Sequence, residues 1–250
     1  MKNFLLITLI SITLINNVYT QDKIKLYAIY TPSHEYMMNE FFLPSIKDAY
    51  DIILEKHDQQ CQSGDFMSTG WLETMIHKVD VVIRGIKENW GEIFIHSDVD
   101  IQFFRPTQDL IKNCMLDNDF AIQKNDKKGA ICAGFFACRG NEKTLALWSE
   151  IRTRLIDATK DPIKAQNENI HDQSILESLI RKSNPFHIKW TYLPPEFYVT
   201  TVVNAKYWAP GKNLIIPSNI VMHHANWTIG LENKIALLSY VKENVKLVVA

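Results

Sequence analysis

The sequence has no excess of positive charge. Its 27 lysines and arginines face 28 aspartates and glutamates, a formal net charge of -1. No basic stripe runs along it, which argues against nucleic acid as a partner. Disorder is excluded too, because 46% of the residues are hydrophobic and 11% aromatic. Repeats, low-complexity tracts and linker-like stretches are missing, so residues 21–250 read as one domain. Cysteine is scarce and scattered. Cys61, Cys114, Cys132 and Cys138 form no Cys-x-x-Cys and no His/Cys cluster, which speaks against zinc. An even count in an exported chain would permit disulfides. Cys132 and Cys138, however, fall on one expected strand about 20 Å apart and should not pair unless it bends. Apolar runs of spanning length do not occur after the start. The start itself, Phe4 to Ile15 behind Lys2, is apolar, with a possible cut before Gln21. It outlines a signal peptide, or an uncleaved signal anchor, over residues 1–20. The expected setting is therefore the secretory pathway: the ER or Golgi lumen or the cell exterior, or the periplasm in a bacterium. Any membrane contact would come only through an uncleaved leader. Asn226-Trp227-Thr228 is a single N-glycosylation sequon.

What the sequence does contain is an alternation of strands and helices. Residues 23–30, 50–55 and 92–97 read as strands, and residues 35–43 and 71–87 as helices. The helix over 71–87 carries Leu72, Met75, Ile76, Val79, Val82, Ile83 and Ile86 at helical spacing. This order predicts a mostly parallel central sheet flanked by helices, a Rossmann-like α/β domain. Further on, the pattern predicts a helix over 107–114, a strand over 120–123, a turn over 125–129 and a strand over 131–139. A helix over 142–157, a loop over 161–169, a helix over 171–181 and a strand over 186–191 come next. The prolines at 194 and 195 predict an ordered loop over 193–198. A short strand over 220–222 and a last helix over 231–241 close the chain.

Everything turns on residues 92–104, Glu-Ile-Phe-Ile-His-Ser-Asp-Val-Asp-Ile-Gln-Phe-Phe. Two acids, Asp98 and Asp100, interrupt two apolar runs. On an extended backbone their carboxylates leave the same face. Neither is easily buried without a partner, and hard oxygen ligands suit Mn²⁺ or Mg²⁺. The pair is thus expected to form a metal–diphosphate site at the carboxyl end of a central strand, where open α/β sheets bind ligands. The plainer alternative is a strand end or a cap. Gly134, inside the strand over 131–139, marks either a bulge or a place where a ligand lies against the backbone.

Several stretches now agree in order and spacing. They are Tyr30-Thr31-Pro32-Ser33-His34, the Lys78-bearing helix, Asp98-Val99-Asp100 and Ala133-Gly134-Phe135-Phe136. His171-Asp172-Gln173, Leu193-Pro194-Pro195-Glu196-Phe197 and His224-Ala225-Asn226-Trp227 complete the set. Together they resemble the nucleotide-diphospho-sugar transferase family of GT-A-type glycosyltransferases, which includes plant xylosyl- and arabinosyltransferases. The resemblance covers residues 24–230. It implies a single GT-A-type domain and a donor that is a nucleoside-diphosphate sugar held by Mn²⁺ or Mg²⁺. The acceptor would be a glycan, a protein or a small molecule. Asp100 would ligate the metal directly, with Asp98 on the ribose or a metal-bound water. His224 rather than His223 would complete the shell. Tyr30 and Thr31 would lie near base and ribose, and Gly134 beneath the donor sugar. Lys78 would reach the phosphates unless it sits on the solvated face of its helix. Asp172 and Gln173 would act on the sugar from the far side; Asp172 also suits a helix N-cap. Transfer by a hexosyl- or pentosyltransferase with retention is the implied reaction. Two other readings compete. One is a secreted nucleotide- or sugar-binding protein without turnover. The other is a haloacid-dehalogenase-like phosphatase with Asp98 as nucleophile, disfavoured by Gln102 and by the lack of a later acid pair.

Overall fold

A computed structural model describes residues 23–61, 63, 64, 66–126, 128–200 and 207–249. The leader expected over residues 1–20 lies outside the described residues. Among those described, no helix is long and apolar enough to cross a membrane, and no disulfide joins the cysteines.

The first strand, β1 (Lys25–Tyr30), is buried on both faces. Leu26 and Ala28 enter one apolar layer, Tyr27 and Ile29 the other, as expected of a strand covered on each side. The helix expected over 35–43 is irregular. It runs as α1 (Glu35–Met37), a π turn (Met38–Phe42) and α2 (Leu43–Ser45). Pro44 has no N–H for a carbonyl of the preceding turn, which accounts for the widening there. Next come β2 (Asp51–Lys56), α3 (Trp71–Glu88), β3 (Ile93–Ser97), β4 (Ile101–Phe103), α4 (Gln108–Cys114), β5 (Phe120–Lys124) and β6 (Ile131–Arg139). The second half holds α5 (Glu142–Thr159), α6 (Pro162–Asn167), α7 (Asp172–Glu177), β7 (Trp190–Tyr192), β8 (Phe197–Val199), β9 (Met222–His224) and α8 (Leu231–Val249).

Six strands form the central sheet in the order β2-β1-β3-β6-β5-β7. The first three are parallel, as the strand–helix alternation requires. β6 runs against both β3 and β5, while β7 returns parallel to β5. Three of the five pairings are therefore parallel, and the sheet is mostly so. The reversal at β6 stems from the short turn after β5, which allows only an antiparallel partner. Helices α3, α5 and α7 cover one face around Phe94, Phe120, Phe136 and Trp148. The other face packs on the irregular first helix and on a small sheet of order β4-β9-β8.

Four expectations shift. The loop over 161–169 contains α6, capped by Asp161 accepting from Lys164 N, with Pro162 in its first turn. Only Ala165 of that helix is buried, so no apolar period betrays it. The strand over 186–191 shrinks to β7. The loop over 193–198 runs into β8, which the two prolines precede rather than forbid. The short strand expected over 220–222 lies two residues later, as β9.

Gly140 ends β6 against the turn between α3 and β3. Its N–H donates to Glu92 O at 3.0 Å and its carbonyl accepts from Gly91 N at 2.7 Å. A Cβ there would lie 2.3 Å from Asn89 O and 2.5 Å from Ile86 O, both backbone atoms. Gly140→Ala is therefore expected to destabilise the fold by roughly 1–3 kcal/mol, the usual range for overpacking. Chemical denaturation of the two proteins measures the difference.

Candidate active site

From β1 the chain moves outward to β2 and then returns to the far side of β1 for β3. The carboxyl ends of β1 and β3 thus flank a topological switch point, the usual ligand crevice of open α/β sheets. A cavity of about 370 Å³ opens there. Tyr30 and Thr31 line it from the end of β1, Asp98 and Asp100 from the bend after β3.

The two acids point into the same cavity, but both already have cationic partners within the chain. Lys78 Nζ lies 3.0 Å from Asp98 Oδ1, and Lys234 Nζ 2.5 Å from Asp100 Oδ2. The partners that buried acids require are thus supplied in part by the chain itself. Burial penalises the Asp98 carboxylate, yet Lys78 and His96 together outweigh it and hold its pKa below the ordinary value. At Asp100, burial is likewise outweighed, by Lys234 and His224, and the pKa falls well below. Asp98 keeps a third of its side chain exposed, whereas Asp100 is almost fully buried.

Lys78 points inward, which settles the orientation left open by the sequence. Its side chain is 3% exposed and bridges Asp98 and Asp172 Oδ2, the latter at 3.2 Å. It also donates to Ala133 O at 3.0 Å. Burial opposes its charge, but the two carboxylates overcome this and raise its pKa. Asp172 is held ionised as well: burial disfavours the carboxylate, and Lys78 together with His171 more than compensates. His171, not Asp172, occupies the N-cap of α7. Asp172 is the first residue inside the helix, where its charge also suits the positive end of the helix dipole. Gln173 Oε1 accepts from Ala133 N at 3.1 Å.

The acids meet His224 across the small sheet, where Ile101 pairs with His224. His224 Nε2 is 3.2 Å from Asp100 Oδ1. Its Nδ1 lies 3.3 Å from both Gln123 Oε1 and Cys132 Sγ. Burial works against the imidazolium, but Cys132 and Asp100 push its pKa up to about 10. Oxygens of Asp98 and Asp100 and a nitrogen of His224 fall within 4.8 Å of one another. His223, one residue earlier on the strand, faces the opposite way. It meets Thr200 Oγ1 at 2.7 Å and stacks on Tyr198.

The geometry depends on an irregularity in β6. The β5 register steps from Ile122↔Phe136 to Gln123↔Cys132, so β6 bulges over Ala133–Phe135. The bulge turns Gly134 O toward Asp98 N, 2.7 Å away. At Gly134 a Cβ would lie 2.2 Å from His224 Cε1 and 2.7 Å from Asp98 Oδ2. The missing side chain is thus the space in which acid and histidine meet.

Sequence reasoning missed Lys234, which reaches Asp100 from α8, and the Gln123–Cys132 pair behind His224. It also missed Asn125, whose Oδ1 accepts from Asn226 Nδ2 and Trp227 Nε1, each at 2.8 Å. That residue fastens the His-Ala-Asn-Trp segment at the cavity mouth. The sequence flagged the segment but offered no cue to its partner.

A model of the nucleotide-diphospho-sugar transferase family matches residues 36–238, most of the chain. The protein belongs to that family and is a glycosyltransferase. No curated protein sequence matches the chain. Among solved structures, it resembles a glycosyltransferase involved in the glycosylation of the major capsid of PBCV-1. The likeness covers 87% of this chain and 99% of that one, with a TM-score of 0.58 at 10% identity. The apo form of the glycosyltransferase GlyE of Streptococcus pneumoniae TIGR4 is similar at TM-score 0.50 and 14% identity, over 89% of this chain and 64% of that one. These likenesses establish a GT-A fold. The family assignment displaces the phosphatase.

Gly134→Ala should lower the melting midpoint and pull the three converging side chains apart, because their common space is filled. Overpacking of this kind costs about 1–3 kcal/mol. Thermal unfolding, together with a crystal structure of the variant, reads both effects.

Proposed function

We propose that the cavity binds a nucleoside-diphosphate sugar together with Mn²⁺ or Mg²⁺ and moves the sugar to an acceptor hydroxyl with retention. The observation that carries this reading is the convergence of Asp98, Asp100 and His224 above a glycine whose Cβ would fill the space. Two carboxylates and one imidazole suit a hard or borderline cation. Ligation requires His224 to release its proton, so the Asp100–His224 ion pair would be exchanged for a metal bond. When bound, the cation would neutralise charge on the departing diphosphate.

The remaining roles fall to the chain. Lys78 and Lys234 approach the same cavity from α3 and α8, and their ammonium groups can favour the growing negative charge. Asp172 and Gln173 line the same cavity beside Lys78, and the donor sugar would lie against them. The bond from the anomeric carbon to the phosphate oxygen breaks while the acceptor oxygen attacks from the same face. The acceptor's proton passes to the departing phosphate oxygen. Asp172, kept anionic by Lys78 and His171, steadies the oxocarbenium-like centre. The apolar stretch from Phe4 to Ile15 supports a setting in the secretory pathway.

The test is a melting series of the parent chain and Asp100→Asn with nucleoside diphosphates, with Mn²⁺ or with EDTA. A ligand that binds the folded state raises its midpoint by mass action. The parent should gain a Mn²⁺-dependent increment that Asp100→Asn loses, each read against its own ligand-free midpoint. An equal increment in EDTA would remove the metal from the reading. Gln123 fixes the imidazole of His224 from behind, so Gln123→Ala should weaken Mn²⁺ binding about 10- to 100-fold, as for other groups that orient a ligand. Calorimetric titration of Mn²⁺ measures this.

A further inference from the structure

The cavity is not uniform in character. Its floor carries the acids, the two lysines and His224, while one rim carries Phe66, Trp71 and His171. These three rings meet edge to face. Phe66 lies 4.9 Å from Trp71 and 5.2 Å from His171, and Trp71 lies 5.9 Å from His171. Phe66 is 56% exposed, a high value for an aromatic ring held in a cluster of others. Trp71 is half-buried and His171 buried beneath it, and an aromatic wall beside a few convergent polar groups is the usual make-up of a ligand site.

The rim is tied to the transfer centre in two ways. His171 Nδ1 lies 3.6 Å from Asp172 Oδ1, so the ring cluster abuts the carboxylate proposed to face the sugar. Trp71, Met75 and Lys78 all line the cavity from α3, at the spacing of one helical face. From Trp71 to Lys78 the helix rises about 10 Å, which leaves room for the transferred sugar between the charged floor and the rim. A group lying on the rim therefore sits next to the donor sugar and away from the diphosphate.

We propose that this rim is the acceptor subsite and that the acceptor is a carbohydrate whose pyranose ring lays its C–H face on Phe66 and Trp71. The assignment rests on the transferase-site reading above. Phe66 and Trp71 offer apolar faces with no charge of their own, which suits the C–H face of a sugar ring. A peptide backbone would call for a row of hydrogen-bonding groups instead. The hydroxyls at the edge of such a ring would point toward Asp172 and Gln173, where transfer takes place.

The test titrates methyl α- and β-glycosides of glucose, galactose and xylose into protein saturated with Mn²⁺ and a nucleoside diphosphate, reading tryptophan fluorescence. Phenol and a soluble peptide rich in serine and threonine serve as the other arms. At least one glycoside should bind the parent. Phe66→Ala should weaken that binding by at least about fivefold, the scale of one lost aromatic contact. Phe66→Tyr, which keeps the ring, should hold it within about twofold. The ligand-free melting midpoint of each variant reports its folding separately. The proposal is overturned if glycosides bind Phe66→Ala as tightly as the parent. It is also overturned if only phenol or the peptide binds, or if no arm binds while the nucleoside diphosphate still raises the melting midpoint. Failure of the nucleoside diphosphate itself would bring down the transferase-site reading and this one together.

Discussion

One buried ammonium holds the site together. Lys78 leaves α3 and contacts Asp98 after β3, Asp172 at the start of α7 and the carbonyl of Ala133 in β6. Four elements distant in sequence are thereby fixed to a single nitrogen. A charge buried this deeply persists only with partners close by, so the placement of Asp98 and Asp172 is mutually enforced. The same contact, with His171 beside it, keeps Asp172 a carboxylate.

The second constraint is the bulge in β6. A regular strand would carry one alternation of side chains from Ile131 to Arg139. Instead Ile131 and Ala133 share a layer with Phe136 and Cys138, which requires a change of parity between them. Within that step the backbone presents three groups to the site: Ala133 N to Gln173, Ala133 O to Lys78 and Gly134 O to Asp98 N. Bulges commonly serve to re-aim a strand beside a functional site. Here the result is a polar backbone edge directed into the cavity, with no side chain in its way.

The sequence revealed the parts of this design that depend on local pattern. The acid pair stood out because it interrupts two largely apolar runs, Ile93–Ser97 and Ile101–Phe103, and α3 carries a clear helical period. The glycine of the bulge was visible, although only the folded chain shows that it yields space to His224 and Asp98. Lys78 could not be oriented from sequence, since a lysine between Ile76 and Val79 fits either face of a helix. Lys234 left no trace, because a salt bridge spanning 134 positions has no local signature. The same applies to Asn125 and Gln123, whose partners lie a hundred residues further along the chain. The reversal of β6 was lost in the strand–helix alternation of the first half, which spoke only for parallel neighbours.

Every acid of the site is paired: Asp98 and Asp172 share Lys78, and Asp100 meets both Lys234 and His224. Three carboxylates, at 98, 100 and 172, stand against two ammonium groups and an imidazolium, so the site is electroneutral before any substrate arrives. A metal ion with its diphosphate would then enter as an exchange of partners rather than as relief of repulsion. Affinity would be set by the difference between two satisfied states.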